Sequence, residues 1–152
     1  MSTEQQPLGA GWVAEQLVLI AVAAAAAATG PTWPPNPVTL PLGIVSAAAG
    51  ALLFVAGIVA LGSSLTPFPR PRGPLVDTGA FGLVRHPIYG GVLLGAVGLG
   101  LVTRPLMLAA CVPALAFIIL KLRHEERLLL ARFPDYASYC ARVRHRLIPF
   151  LL

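Results

Sequence analysis

Four apolar runs separated by proline-rich breaks dominate this chain, and they leave it few possible folds. A helix needs about 20 mostly apolar residues to cross a bilayer. Residues 11–29 supply one such run, ending in the alanines 23–28, and residues 41–65 supply a second. Between them Gly30-Pro31 and Pro34-Pro35-Asn36-Pro37 stop the first helix. The third and fourth runs, 88–102 and 106–120, flank Thr103-Arg104-Pro105. Each is short for a full crossing, so the pair reads as a tight helical hairpin. Charged residues make up only 11% of the 152 residues and apolar ones 57%, against roughly 25% charged in a soluble domain. Such a chain lacks the polar surface to cover a globule in water. The expected fold is all-α: a single-domain (1–152) polytopic helical membrane protein of about four membrane segments, the last two a short hairpin.

The segment 66–87 holds Pro67, Pro69, Pro71, Pro74 and Pro87 with Arg70, Arg72 and Arg85. Prolines this dense exclude a helix, so a loop at the membrane surface is expected. From Lys121 onward the chain turns polar. Residues 121–132 continue as a helix, and Pro134 suits the first position of another. There Tyr136, Tyr139 and Val143 share a face at i, i+3, i+7. Residues 121–152 are thus a tail of helices outside the bilayer. Ten of the eleven Lys and Arg fall in the 66–87 loop and the tail, and only Arg104 lies across the membrane from them. The positive-inside rule then places both termini in the cytosol and the protein in the cell inner membrane. The N-terminus lacks the basic region of a cleaved signal peptide, so residues 1–10 read as a short lead. Small residues (Gly43, Ala47, Gly50 and Gly57 on the second run, Gly91, Gly95 and Gly98 on the third) predict close helix packing in lipid. Cys111 and Cys140 have no disulfide or metal spacing and read as packing residues.

Polar residues gather in two places, Arg85-His86-Pro87-Ile88-Tyr89-Gly90 and Arg123–Glu126. One opens the hairpin and the other closes it, so the topology brings them together at the membrane surface. Charge at the rim of a bilayer is costly unless it is used. A purely structural role, with arginines in headgroups and glutamates paired locally, is the plain alternative. Glu125 and Glu126 are adjacent, so on a helix they point about 100° apart. They should do different jobs, with Glu126 favoured for the pocket.

Leu61-Gly62-Ser63-Ser64-Leu65-Thr66-Pro67, Leu75–Phe81 and Arg85–Gly91 resemble the isoprenylcysteine carboxyl methyltransferase family. So do Glu125-Glu126-Arg127-Leu128-Leu129, Phe133, Tyr136, Tyr139, Val143 and Arg146-Leu147-Ile148-Pro149. The resemblance implies an integral membrane enzyme that takes a methyl group from S-adenosylmethionine. It implies that Arg85, His86, Pro87, Tyr89, Gly90, Glu126 and Tyr136 bind this cofactor, with Tyr136 closing the pocket. Arg146 and Glu125 are the implied catalytic residues, with Arg146 near the transferred methyl or its acceptor. An imidazole and a phenol can hydrogen-bond a carboxylate, and a glutamate can accept from ribose hydroxyls or pair with an ammonium. Methyl transfer to a nucleophile needs alignment and exclusion of water more than a strong acid or base. The first two segments carry no motif of the family. The expected acceptor is a lipophilic or amphiphilic small molecule, held by Arg146 and Arg85 where it carries a carboxylate, beside membrane lipid.

Two other readings fit the residues. An NADPH-dependent membrane reductase of related helical fold would use Arg85, Arg142, Arg144 and Arg146 for a phosphate. A non-enzymatic membrane subunit would use its basic tail to bind anionic lipid. No nucleic-acid partner is expected. His86, His124 and His145 lack ligand spacing, so no metal is expected either.

Overall fold

The computed structural model describes residues 10–34, 36–66 and 73–149. The N-terminal lead up to Gly9, Pro67–Arg72 of the proline-rich loop, and Phe150 lie outside them, as do the expectations that rest on those residues. Helix α1 spans Ala10–Thr29, α2 Thr39–Leu61, α3 Pro87–Val102, α4 Pro105–Arg132 and α5 Tyr136–Arg142. Two short 3-10 turns, Gly62–Ser64 and Gly79–Gly82, lie between α2 and α3. Three helices are long and apolar enough to cross a membrane: Gly11–Thr29, Thr39–Ser64 and Pro105–Arg132. The fourth, α3, is shorter. The chain is thus a polytopic helical membrane protein. Only one arm of the hairpin is short, because α4 continues unbroken past Lys121 for 28 residues in all. Pro113 sits inside it, as proline can within a packed membrane helix.

The helices run alternately up and down. α2 lies antiparallel along α3, and α1 lies along the outer side of α4. The α2–α3 seam is the tightest, and the glycines make it so. A methyl group on Gly43, Gly50 or Gly57 would run into Gly98 and Val102, into Gly91 and Gly95, or into Pro87 and Ile88. Ser46 Oγ also donates to the Leu94 carbonyl across the seam, at 2.9 Å. With little hydrophobic drive between helices in lipid, such close backbone packing is what holds them. At the opposite end from the site, the Trp33 backbone N–H donates to Thr103 O at 3.1 Å and its indole Nε1–H to Gly100 O at 2.8 Å. The α1–α2 connection and the hairpin tip therefore sit at one level.

The tail folds back under the helix ends. Tyr136, Tyr139 and Val143 are all buried, packed with Leu75, Leu129, Phe133 and Cys140. The face expected from their spacing is the one that docks. Helix α5 begins at Tyr136 with Asp135 before it, so Pro134 lies in the preceding turn and not at the first helical position. Phe133 caps α4, its N–H donating to Leu129 O, and its carbonyl accepts from Tyr136 N–H. These bonds close the bend within the turn and delay the new helix.

Candidate active site

The approach to α3 is extended, and the last described stretch of the tail runs beside it. Arg85 N–H donates to His145 O at 3.0 Å and His86 N–H to Arg146 O at 2.8 Å. Gly90, one turn into α3, allows this contact, because any side chain there would meet the Leu147 carbonyl. The tail is thereby fixed against α3, with Leu147 packed on Ile118 and Leu122 of α4.

This docking sorts the two glutamates. Glu126 is 9% exposed and faces the tail. Its Oε2 is 3.2 Å from an Arg146 guanidinium nitrogen, and its Oε1 is 3.0 Å from Arg85 Nε. The second contact is an ion pair and not an aligned hydrogen bond; another Arg85 nitrogen donates to Val143 O at 3.3 Å. His86 Nε2 is 3.4 Å from Glu126 Oε1 and its Nδ1 is 4.0 Å from Glu125 Oε2. Glu125 turns the other way and accepts from the Tyr89 hydroxyl at 2.7 Å.

Beside Glu125 lies a cavity of about 410 Å³, within the size range of small-molecule sites. Arg85, His86, Pro87, Tyr89, Glu125 and Tyr136 line it. Glu126, Gly90 and Arg146 do not. Of the two glutamates, Glu125 faces this cavity, while Glu126, the one favoured for the pocket, is enclosed by two arginines and His86. Arg146 is likewise set back on Glu126, half exposed, and Gly90 serves the tail contact. Two lining residues carry signals that motif reading passed over. Lys121 stands one helical turn before Glu125, and Gln16 is a polar residue inside the first apolar run. Lys121 Nζ donates to Gln16 Oε1 at 2.6 Å and lies 5.2 Å from the centre of the Tyr89 ring.

The tyrosines form the outer wall. Tyr139 donates to Phe81 O at 2.7 Å. The Tyr136 hydroxyl is buried and has no hydrogen-bond partner among the described residues. Burial pushes both phenols well above their ordinary range, so they remain donors at neutral pH. An orphaned buried hydroxyl costs about 1–3 kcal/mol, and a ligand with an acceptor group would satisfy it. The cavity thus combines an anion (Glu125), a cation (Lys121), an imidazole and an unused donor with apolar walls from Phe54, Ile58, Leu61 and Leu129. Among the described residues no three His, Cys, Asp or Glu gather as metal ligands.

The model of the phospholipid methyltransferase family, which includes the isoprenylcysteine carboxyl methyltransferase-like enzymes, matches residues 38–135. The chain is similar to the cobalt-zinc-cadmium resistance protein CzcN of Cupriavidus metallidurans, with 36% identity over 73% of this chain and 49% of that one. It is also similar to the nickel-cobalt-cadmium resistance protein NccN of Alcaligenes xylosoxydans xylosoxydans, with 35% identity over 66% of this chain and 44% of that one. The chain spans about half the length of these relatives.

Proposed function

Because this integral membrane chain belongs to the phospholipid methyltransferase family, we propose that it transfers a methyl group from S-adenosylmethionine to a lipophilic or amphiphilic acceptor. One observation supports the reading: a cavity at the end of the bundle where the tail docks is lined by Arg85, His86, Pro87 and Tyr89 of the motif before α3, by the Glu125 carboxylate and by the unpartnered Tyr136 phenol. S-adenosylmethionine supplies an activated methyl on a sulfonium, together with an ammonium, a carboxylate, a ribose diol and an adenine. The donor set fits those groups. Glu125 accepts from the ammonium or the ribose hydroxyls, His86 and Tyr89 hold polar groups beside it, and the Tyr136 hydroxyl donates to a further acceptor atom. Glu126 with Arg85 and Arg146 positions His86 and does not touch the ligand. Leu129, Phe133 and the tyrosines exclude water, which matters because water competes as the methyl acceptor. The cavity lies on the cytosolic side in this reading, following the distribution of basic residues.

Three of the four arginines that the reductase reading would use for a phosphate already have carboxylate partners, and only Arg144 has none among the described residues. Arg85 and Arg146 are paired with Glu126, and Arg142 is paired with Asp77. If this chain serves a metal-resistance system, as the names of two relatives say of those proteins, methyl transfer is its contribution there.

Calorimetry in detergent tests the proposal. S-adenosylmethionine and S-adenosylhomocysteine should bind with dissociation constants on the order of micromolar, about −8 kcal/mol. Labelled methyl should pass from the donor into membrane-lipid extract or a small amphiphile. Binding of NADPH with no binding of either donor or product would overturn it.

A further inference from the structure

The imidazole and the phenol expected to hold the carboxylate of S-adenosylmethionine are both engaged with glutamates. His86 lies between Glu126 and Glu125, and the Tyr89 hydroxyl donates to Glu125. Arg85 faces Glu126 and donates to Val143 O. The other cation of the cavity wall is Lys121, which is 1% exposed. An ammonium has three protons to give. Among the described residues only the Gln16 amide oxygen takes one, at 2.6 Å, while the centre of the Tyr89 ring lies 5.2 Å away.

Lys121 is balanced by Glu125 but not joined to it. The two stand four residues apart on α4, one helical turn or about 6 Å along the axis, and the carboxylate attracts the ammonium. Yet Lys121 turns to Gln16 and Glu125 to Tyr89, and among the described residues no direct ion pair links them. Both line the same cavity. Opposite charges held apart in one cavity suit a guest that carries both. An α-amino acid does so, with its ammonium and carboxylate on one carbon. Such a guest adds no net charge to the buried site, and each of its ions meets a partner that offsets its desolvation.

We propose that Lys121, held in place by Gln16, binds the carboxylate of the methyl donor's amino-acid end, while Glu125 takes the ammonium of that end. This rests on the methyltransferase reading and assigns Glu125 to the ammonium, not to the ribose hydroxyls. Gln16 is a positioning residue, because it fixes where the Lys121 ammonium stands and acts on the ligand only through it. Helix α1 lies outside the matched residues 38–135 and carries no family motif, but through Gln16 it becomes part of the ligand site.

The test is calorimetry on the full chain in detergent with S-adenosylhomocysteine and three relatives of it. One lacks only the carboxylate, one lacks only the amine, and 5′-methylthioadenosine lacks both. The wild type should bind S-adenosylhomocysteine at least about tenfold more tightly than each of the three, as a charged hydrogen bond is worth. Lys121→Gln should bring S-adenosylhomocysteine and the carboxylate-free relative to within about twofold of each other, the latter binding as before or more tightly because Glu125 has lost its countercharge. Glu125→Gln should do the same for the amine-free relative. Gln16→Leu should reduce the carboxylate preference in part, and this variant decides the matter if Lys121→Gln does not assemble. A carboxylate preference that survives in Lys121→Gln overturns the proposal, and this includes an equal loss for every ligand, which a purely structural lysine would give. A wild type that binds S-adenosylhomocysteine and 5′-methylthioadenosine alike overturns the proposal and leaves the methyltransferase reading standing. A wild type that binds none of the four overturns both.

Discussion

Adjacent glutamates of the same helix end in opposite environments here, and that contrast makes sharp predictions. Glu126 compensates the buried Arg85, so Glu126→Gln leaves that cation unpaired and should cost about 3 kcal/mol of stability, read as a lower thermal midpoint in detergent. Glu125→Gln keeps a neutral acceptor for the Tyr89 hydroxyl and should cost only about 1 kcal/mol of stability, but should weaken S-adenosylhomocysteine binding by roughly tenfold or more. The reverse pattern in calorimetry and melting would return the pocket to Glu126. Tyr136 offers the complementary case. Its hydroxyl is buried and unpartnered, so Tyr136→Phe should leave stability unchanged or raise it by about 1 kcal/mol while lowering ligand affinity. A destabilised Tyr136→Phe would show that the hydroxyl already has a partner. The raised phenols of Tyr136 and Tyr139 add a pH dependence. In the unfolded chain they ionise near pH 10, whereas in the fold they stay neutral. Stability from this source is therefore constant below pH 10 and falls as pH rises above it, as melting curves at stepped alkaline pH should record. The sequence shows that the two glutamates diverge by about 100°, but not which one faces the cavity. That depends on the tail returning to α3 through Arg85–His145 and His86–Arg146, a contact between distant parts of the chain that no local pattern encodes.

At the scale of helices, the sequence is far more explicit. Its proline breaks fall between the helices, and the glycine stripes expected on α2 and α3 meet each other. What spacing alone does not reveal is the asymmetry within the stripe. A side chain on Gly50 would strike the backbone of Gly91 and Gly95, whereas one on Gly95 would meet nothing. The reason is the direction of the Cα–Cβ bond: Gly50 points into the seam, while Gly95 lends its backbone to it and points away. Gly50→Val should therefore force α2 and α3 apart and cost at least the 1–3 kcal/mol of ordinary overpacking, whereas Gly95→Ala should be tolerated. Thermal aggregation of the two variants in detergent distinguishes them, and equal behaviour would mean that the helices do not pack at this depth. Pro134 shows the converse limit. Its residue type suits a helix start, but the turn closed by Phe133 and Tyr136 postpones the helix by two residues.

Over the whole molecule, the short α3 raises the question of whether the hairpin reaches as far across as α1 and α2. The bonds from Trp33 to Thr103 and Gly100 tie its tip to the α1–α2 connection, so both turns lie at the same depth although α3 has only 16 residues. The opposite end collects the start of α1, the α2–α3 connection and the tail. Among the described residues, every Lys and Arg but Arg104 belongs to the segments at that end or to the part of α4 that leads to it. Reagents that cannot cross a membrane can test this sidedness directly. With Cys111 and Cys140 replaced, a cysteine at Thr32, exposed in the α1–α2 connection, should react with an impermeant maleimide added to intact cells. A cysteine at Ser138, exposed on α5, should react only after the membrane is opened. Thr103→Cys should follow Thr32→Cys in side, since a hydrogen bond joins its carbonyl to the neighbouring Trp33. Labelling of Ser138→Cys in intact cells would invert the topology and place the cavity outside the cytosol, away from a cytosolic supply of S-adenosylmethionine.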